Sequence, residues 1–370
     1  MLAAPVLSAN ILDLRLYCIA YSGFMVLVTG GTGFIGSYIM YELLKQNPEI
    51  KALRRDGSDF KQTRFIFKYL SASDPMPNGE SWEQAFNRIK WVEGDVTELD
   101  SVLEALEEVD IVYHAAALVS YSRKRHDDLI ETNVIGTATI VNACLEKGIK
   151  KLAYVSSVAT LDRKPGEKLD ESAFPEDLKF SNTYAESKYR AEMEVWRGIA
   201  EGLDAVIINP GIVLGWGNFD NSSPEMFKTV YEGLKYYPTG SNAFVDVRDV
   251  AKALVMLAGM DTAVNNRFIA KGSVHTYKEI FDLMAKGLGV TPPKIKVKSS
   301  LVKLVWIMAE IEALLSGKEP FITKDLALTS SKNYDFDSSK LEQLLHFHFT
   351  PIEQTIAETC KVFKIGKLVN

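Results

Sequence analysis

The chain has 370 residues, of which 47% are hydrophobic and 24% charged, and its formal net charge is −6. That length allows one large α/β unit or two interleaved ones, and the acidic balance gives no support for nucleic acid as a partner. Cys18, Cys144 and Cys360 stand far apart and odd in number, so there is neither a disulfide framework nor a zinc spacing, and a reducing cytoplasm is the expected compartment.

Residues 1–24 are fairly apolar, but Asp13 and Arg15 interrupt them. They lack the basic start and cleavage site of a signal peptide. The apolar run is also too short and charged for a membrane span. The expectation is an N-terminal extension outside the fold, with Met25 as the natural start. Val26-Leu27-Val28-Thr29 then leads into Gly30-Gly31-Thr32-Gly33-Phe34-Ile35-Gly36, after which Ile35, Ile39, Leu43 and Leu44 recur at helical spacing. This is a strand, a tight turn and the start of a helix. Gly30 is expected to take the positive φ of the turn. Gly33 lets the backbone approach a pyrophosphate, and Gly36 lets the helix pack close to the strand. The helix N-terminus offers N–H groups and a positive dipole end to the phosphates.

Residues 49–55 read as a second strand, ending in Arg54 and Arg55 with Asp56 just after. In a dinucleotide fold this end meets the adenosine ribose, where arginine suits the 2′-phosphate of NADP and an acid the 2′-OH of NAD. NADP is the expected preference, and Asp56 keeps NAD open. Residues 57–90 carry Pro75, Pro77, Asn78 and Gly79 between two helical patches and read as a surface insertion. A third strand, 91–96, is expected to end at Asp95, followed by a helix through Leu99, Val102, Leu103 and Leu106. A fourth, 110–117, runs into Ala115, Ala116 and Ala117. A helix spans 133–147, a fifth strand 151–157, a long helix 183–201 and a sixth strand 204–209. Such alternation predicts a parallel sheet covered on both faces. The glycine loop, Arg55, Asp95, Ala115 to Ala117, Ser157 and Pro210-Gly211 all fall at carboxyl ends of strands, where ligands lie. After Gly211, helices are expected near 224–236, 249–258, 277–287, 300–316, 338–345 and 352–363. Strands are expected near 244–247 and 267–270, and these pieces together form a smaller lobe. His346 and His348 lack other ligands at metal spacing.

Tyr184 and Lys188 open the long helix at i,i+4, on one face. A phenol is a poor acid at neutral pH, and a nearby ammonium favours its phenolate. A hydroxyl from a neighbouring strand end, Ser157, is placed to hydrogen-bond a substrate oxygen. Such a set suits hydride transfer between a carbinol carbon and nicotinamide, with Tyr184 moving the proton.

Thr29-Gly30-x-x-Gly33-x-x-Gly36, Gly94-Asp95-Val96, Asn133, Ser157 and Tyr184-x-x-x-Lys188, in this order, resemble the extended short-chain dehydrogenase/reductase family over residues 25–360. The resemblance implies a Rossmann-type doubly wound sheet, 25–210, interleaved with a C-terminal α/β substrate lobe lying mainly in 211–370. It implies Tyr184 as acid/base, Lys188 on the nicotinamide ribose, Ser157 (rather than Ser156) orienting substrate, and Asn133 supporting a proton-relay water. Cofactor contacts are implied at Gly30, Thr32, Gly33, Phe34, Ile35, Gly36, Arg54, Arg55, Asp95, Val96, Ala115, Ala116, Ala117, Pro210, Gly211 and Val213, with no metal. Pairing of two copies through the helices that begin near Asn133 and Thr183 is common in that family, and the sequence leaves the oligomeric state open. Family dehydratases carry an Asp-Glu pair where Val158 and Ala159 stand here. Epimerases place an arginine where Gly240-Ser241-Asn242-Ala243 stands. Ala52-Leu53-Arg54-Arg55-Asp56 instead resembles the dihydroflavonol-4-reductase-like branch, and the 3β-hydroxysteroid dehydrogenase branch is also similar. The expected function is an NADP-preferring oxidoreductase of a small carbonyl or alcohol substrate. A nucleotide-sugar epimerase and a non-catalytic NADP-binding protein are the alternatives.

Overall fold

A computed structural model describes residues 23–161, 166–175, 180, 182–297 and 330–369. Seven strands form one parallel sheet: β1 (Val26–Thr29), β2 (Ile50–Arg54), β3 (Ile89–Glu93), β4 (Ile111–His114), β5 (Lys151–Val155), β6 (Ala205–Pro210) and β9 (Asn266–Ala270). Their order is β9-β6-β5-β4-β1-β2-β3. The chain builds outward from β1 through β2 to β3, then crosses back to β4 and builds outward the other way. The reversal leaves a crevice beyond the ends of β1 and β4, the place where such sheets bind dinucleotides.

Strand residues alternate between the two faces. Val26 and Val28 of β1, Ala153 and Val155 of β5, and Val206 and Ile208 of β6 share one core with α1 (Phe34–Leu44), α2 (Lys61–Ser73) and α8 (Val247–Ala258). Leu27, Leu152, Tyr154, Ala205 and Ile207 face the other way. They pack with α4 (Leu99–Ala105), α5 (Gly136–Lys147) and α6 (Thr183–Ala200). Both faces are apolar because both are covered, which is why these strands read as continuous hydrophobic runs.

A three-stranded sheet, β10-β8-β7, built from β7 (Ile212–Leu214), β8 (Ser241–Asp246) and β10 (Ser273–Thr276), forms the second unit. Leu214 and Phe244 from it join α7 (Glu225–Tyr231), α9 (Tyr277–Leu288) and α11 (Ile352–Val369) in a separate core. Asp246 ties the units together. It caps α8 by accepting from the Arg248 N–H at 2.7 Å, receives the Arg248 guanidinium at 3.0 and 2.6 Å, and accepts from Thr355 Oγ1 of α11 at 2.7 Å. Asp249 accepts from the Thr350 N–H and hydroxyl. Burial, then the charge of Asp246, pushes its carboxyl up to about 6.

Several elements differ from the sequence expectation. Residues 57–90 are no surface appendage: Ile66, Phe67 and Leu70 of α2 and Phe86 of α3 (Trp82–Asn87) are buried in the main core. The third strand spans Ile89–Glu93, so Asp95 lies beyond it, and the fourth stops at His114. The stretch near 267–270 is β9, an edge strand of the main sheet paired to β6, not part of the lobe. The helix expected to reach 236 ends at Tyr231, and Tyr236–Tyr237 pairs with Ile295–Lys296 as short strands. The strand near 244–247 ends at Asp246 because that carboxylate caps the next helix. The helix of 338–345 is α10 (Ser339–Leu345). The expected helix 300–316 lies outside the described residues. At the other end Phe24 packs on the main core beneath the Lys150 ammonium, 4.3 Å from its ring, so the fold begins before Met25.

Asp246→Ala leaves the Arg248 guanidinium short of a partner and removes the α8 cap. A loss of about 3 kcal/mol is expected, read as a lower urea midpoint at unchanged slope.

Candidate active site

The turn between β1 and α1 is closed by close backbone packing at its glycines. Gly30 has φ +70°, and a Cβ there would sit 2.6 Å from the Ala116 amide nitrogen. A Cβ on Gly36 would sit 2.1 Å from the Gly30 carbonyl oxygen, so Gly36 makes room for the turn itself rather than for the strand. The Gly33 N–H donates to the Gly30 carbonyl at 2.9 Å. Two hydroxyls pin the loop from behind. Ser37 Oγ lies 3.0 Å from the Gly31 carbonyl and 2.7 Å from that of Gly33, and Thr63 Oγ1 lies 3.1 Å from Ser37 Oγ. Gln62 Nε2 donates to the Thr32 carbonyl at 3.1 Å. Sequence reading missed all three. Ser37 looked like any small helix residue, and Gln62 and Thr63 lie in the stretch read as an insertion. No side chain caps the N-terminus of α1. Its first-turn amides are therefore donors without an internal acceptor, beside a turn with no room for a Cβ at Gly30 or Gly36, and this fits a pyrophosphate.

At the end of β2, Arg54 is already engaged: its guanidinium pairs with Glu93 of β3 at 3.0 Å and lies over the Phe60 ring. The two arginines are therefore not equivalent, and the exposed one is Arg55, followed by exposed Asp56. Asp95 accepts from the Thr97 amide at 2.9 Å and hydroxyl at 2.8 Å, and Val96 packs against Gly136. Phe34 turns its ring onto Gly217 and Tyr38, leaving only its backbone toward the turn, and Ile35 packs on the core. Ala115 and Ala116 run directly against Gly30, while Ala117 is exposed. Pro210 ends β6. Gly211 is small because a Cβ would meet the Ala243 carbonyl at 2.7 Å, and Val213 is buried in β7.

Tyr184 lies in the first turn of α6, which Asn182 caps by accepting from the Ala185 N–H at 2.7 Å. Its ring meets Tyr121 edge-on at 5.6 Å. One turn on, Lys188 is buried; its Nζ donates to Tyr154 Oη at 2.8 Å and to the Val155 carbonyl at 2.9 Å. Burial pulls the ammonium down to about 7, and the Glu192 carboxylate opposes that. The two serines after β5 part company. Ser156 is buried and donates to Glu192 at 2.5 Å, whereas Ser157 is half-buried and its Oγ accepts from the Ala159 N–H at 3.1 Å.

Asn133 sits inside a π-helical turn, Ile130–Ile135, that precedes α5. Its amide accepts from the Leu118 N–H at 2.7 Å and donates to the Leu118 carbonyl and Ser187 Oγ, both at 3.0 Å. Both amide hydrogens are thus spent on joining the segment after β4 to α6. The Asn133 carbonyl accepts from Thr137 Oγ1 at 2.6 Å. That proton being used, His114 Nε2–H donates to Thr137 at 3.0 Å, and Thr29 Oγ1 donates to Nδ1 at 2.6 Å. The ring is neutral: burial, then the nearby Lys188, holds it down at about 3. An unfolded histidine takes up a proton below about 6.5, while folded His114 refuses one until about 3. This stability is present above the unfolded value and drains as pH falls between the two. Relative to a His114→Gln variant, the native protein is expected to lose about 1.4 kcal/mol per pH unit between pH 6 and 4, measured by urea denaturation at each pH.

Among the described residues no helix is long and apolar enough to cross a membrane, and no group of three metal-ligating side chains occurs. The model of the NAD dependent epimerase/dehydratase family matches residues 26–269. A dihydroflavonol 4-reductase-like protein of Synechocystis sp. is 29% identical, covering 91% of this chain and 94% of its own length. Tetraketide alpha-pyrone reductase 2 of Arabidopsis thaliana is 32% identical over 70% of this chain and 81% of that protein. The crystal structure of gox2253 superposes with a TM-score of 0.74 at 27% identity, covering 92% of this chain and 98% of that one. The chain belongs to the NAD dependent epimerase/dehydratase family and is an NAD(P)-dependent oxidoreductase with the extended short-chain dehydrogenase/reductase fold.

Proposed function

We propose that the protein reduces a ketone or aldehyde with NADPH, using Tyr184 as the proton donor. The observation that carries this reading is the placement of Lys188: a buried ammonium fixed at the end of β5 by Tyr154 and the Val155 carbonyl, one helical turn from the Tyr184 phenol. When bound, the coenzyme supplies the hydride. Tyr184 gives its proton to the carbonyl oxygen as negative charge builds there, and the Lys188 cation favours the phenolate left behind. Ser157, whose oxygen accepts from an amide and whose proton is therefore available, donates to the same substrate oxygen. Ser156 cannot share the task, because its proton is held by Glu192. Asn133 acts through its links to Leu118 and Ser187, holding the active-site edge of α6.

The α1 amides would hold the coenzyme's phosphates, and Arg55 would hold the phosphate at its adenosine end. Phosphate selectivity rests on Arg55, since Arg54 is committed to Glu93. Both curated relatives named above are called reductases, which supports reduction rather than epimerisation. Ile135, exposed at the end of the π turn, supports pairing of two copies along this helix. Cys144 and Cys360 are free and buried, in keeping with a cytoplasmic protein.

A screen of carbonyl compounds with NADPH and with NADH, followed by absorbance, tests the reaction class. Against whichever carbonyl is accepted, Tyr184→Phe is expected to lower kcat by about 10²–10⁴ with unchanged thermal unfolding, and undiminished turnover removes the mechanism. Arg55→Ala is expected to weaken NADPH binding by about 10- to 100-fold and leave NADH binding nearly unchanged, as read by fluorescence titration with both coenzymes.

A further inference from the structure

Behind the proposed catalytic face, Glu192 is fully buried, one turn beyond Lys188 on α6. Its Oε2 accepts from Ser156 Oγ at 2.5 Å, Thr160 Oγ1 at 2.9 Å and Asn209 Nδ2 at 2.8 Å. Its Oε1 accepts from Trp196 Nε1 at 3.2 Å and pairs with the buried Arg267 of β9 at 3.1 Å. Two of these donors reach further. Asn209 Nδ2 also donates to the Ser157 carbonyl at 3.1 Å, and Thr160 Oγ1, its one proton given to Glu192, lies 2.9 Å from the same carbonyl. We infer that Glu192 is a positioning residue: one carboxylate locks the turn carrying Ser157 to the helix carrying Tyr184 and Lys188, and stands as the anion one helical turn from the Lys188 ammonium. The inference rests on the proposed reductase reading.

An ion pair meant only to join α6 to β9 needs Arg267 and nothing else. Here four more donors converge, and three of them belong to the strand ends that frame Ser157. The groups facing Lys188 are Tyr154 of β5, His114 of β4 and, on its own helix, Tyr184 and Glu192. His114 is neutral and burial keeps the Tyr154 phenol protonated, so the carboxylate that opposes the loss of the Lys188 proton is Glu192. Arg267 stands behind Glu192 and acts in the opposite sense.

The test uses NADPH as probe, with its affinity measured from pH 6 to 10 on the native protein, Lys188→Ala, Glu192→Gln and the double variant Glu192→Gln/Arg267→Gln. Native affinity is expected to fall as Lys188 loses its proton, and Lys188→Ala to lack that fall. In Glu192→Gln the fall moves about one pH unit lower, with affinity at pH 6 within about twofold of native. The double variant removes the unpaired Arg267 charge and is expected to recover thermal stability, yet its fall in affinity stays below the native pH. It carries the comparison if Glu192→Gln alone does not fold. A fall at the native pH in both variants overturns the inference, as does a double variant restored in stability and pH profile alike, which makes Glu192 only the partner of Arg267. A native protein whose NADPH affinity matches that of Lys188→Ala at every pH refutes instead the placement of Lys188 at the coenzyme.

Discussion

The candidate site is organised around the burial of one ammonium. Taking a lysine charge out of water is costly unless hydrogen bonds and opposite charge replace the lost hydration. Lys188 receives a phenol oxygen and a backbone carbonyl directly, and a carboxylate one helical turn away. It also lies over the face of the Tyr154 ring, 4.6 Å from the centroid. Every neighbouring group is accordingly constrained. His114 has to stay neutral, because a second cation beside Lys188 would have no anion of its own. Its tautomer is dictated by a chain of hydroxyls running from β1 through His114 to α5.

Strand parity explains why these groups meet. Side chains on β5 alternate, so Leu152 and Tyr154 face α6 while Ala153 and Val155 face α8. Ser156 continues the Tyr154 side and meets Glu192. Ser157, one residue on, joins that interior network only through its carbonyl and keeps its side chain half-exposed. Two adjacent serines thus receive opposite environments from the geometry of a single strand end.

The regular part of the fold was legible because its signals are local. The β1–turn–α1 unit, the alternation of strands and helices, and the pairing of Tyr184 with Lys188 on one helix face follow from spacing alone. What failed to show was whatever depends on distant partners. β9 reads as a short apolar run like any lobe strand, and only its pairing with β6 puts it in the main sheet. Residues 57–90 read as an insertion because their prolines and glycine announce a loop, yet Phe67 and Phe86 close the core under α1. Glu192 resembles any solvated helix glutamate until Arg267, 75 positions later, is folded against it. The π turn around Asn133 has no signature in composition; it exists because Asn133 bonds Leu118 and Ser187 at once.

The two ends of the site are built on contrasting principles. At the glycine turn the protein offers backbone, and the constraint is absence: no atom fits where a Cβ on Gly30 or Gly36 would lie. Its precision comes from Ser37 and Thr63, which hold the loop carbonyls from behind without reaching toward a ligand. At the other end the protein offers charged side chains in a dry interior, where each group depends on the next. Glycine turns tolerate no added volume, whereas buried polar networks tolerate no missing partner. The glycine constraint also reaches into the lobe formed by β7, β8 and β10, at Gly240 and Gly272, where a Cβ would sit 2.1 Å from the Lys332 carbonyl oxygen and 2.2 Å from that of Phe244, whereas the buried charge network meets the lobe at its seam through Asp246.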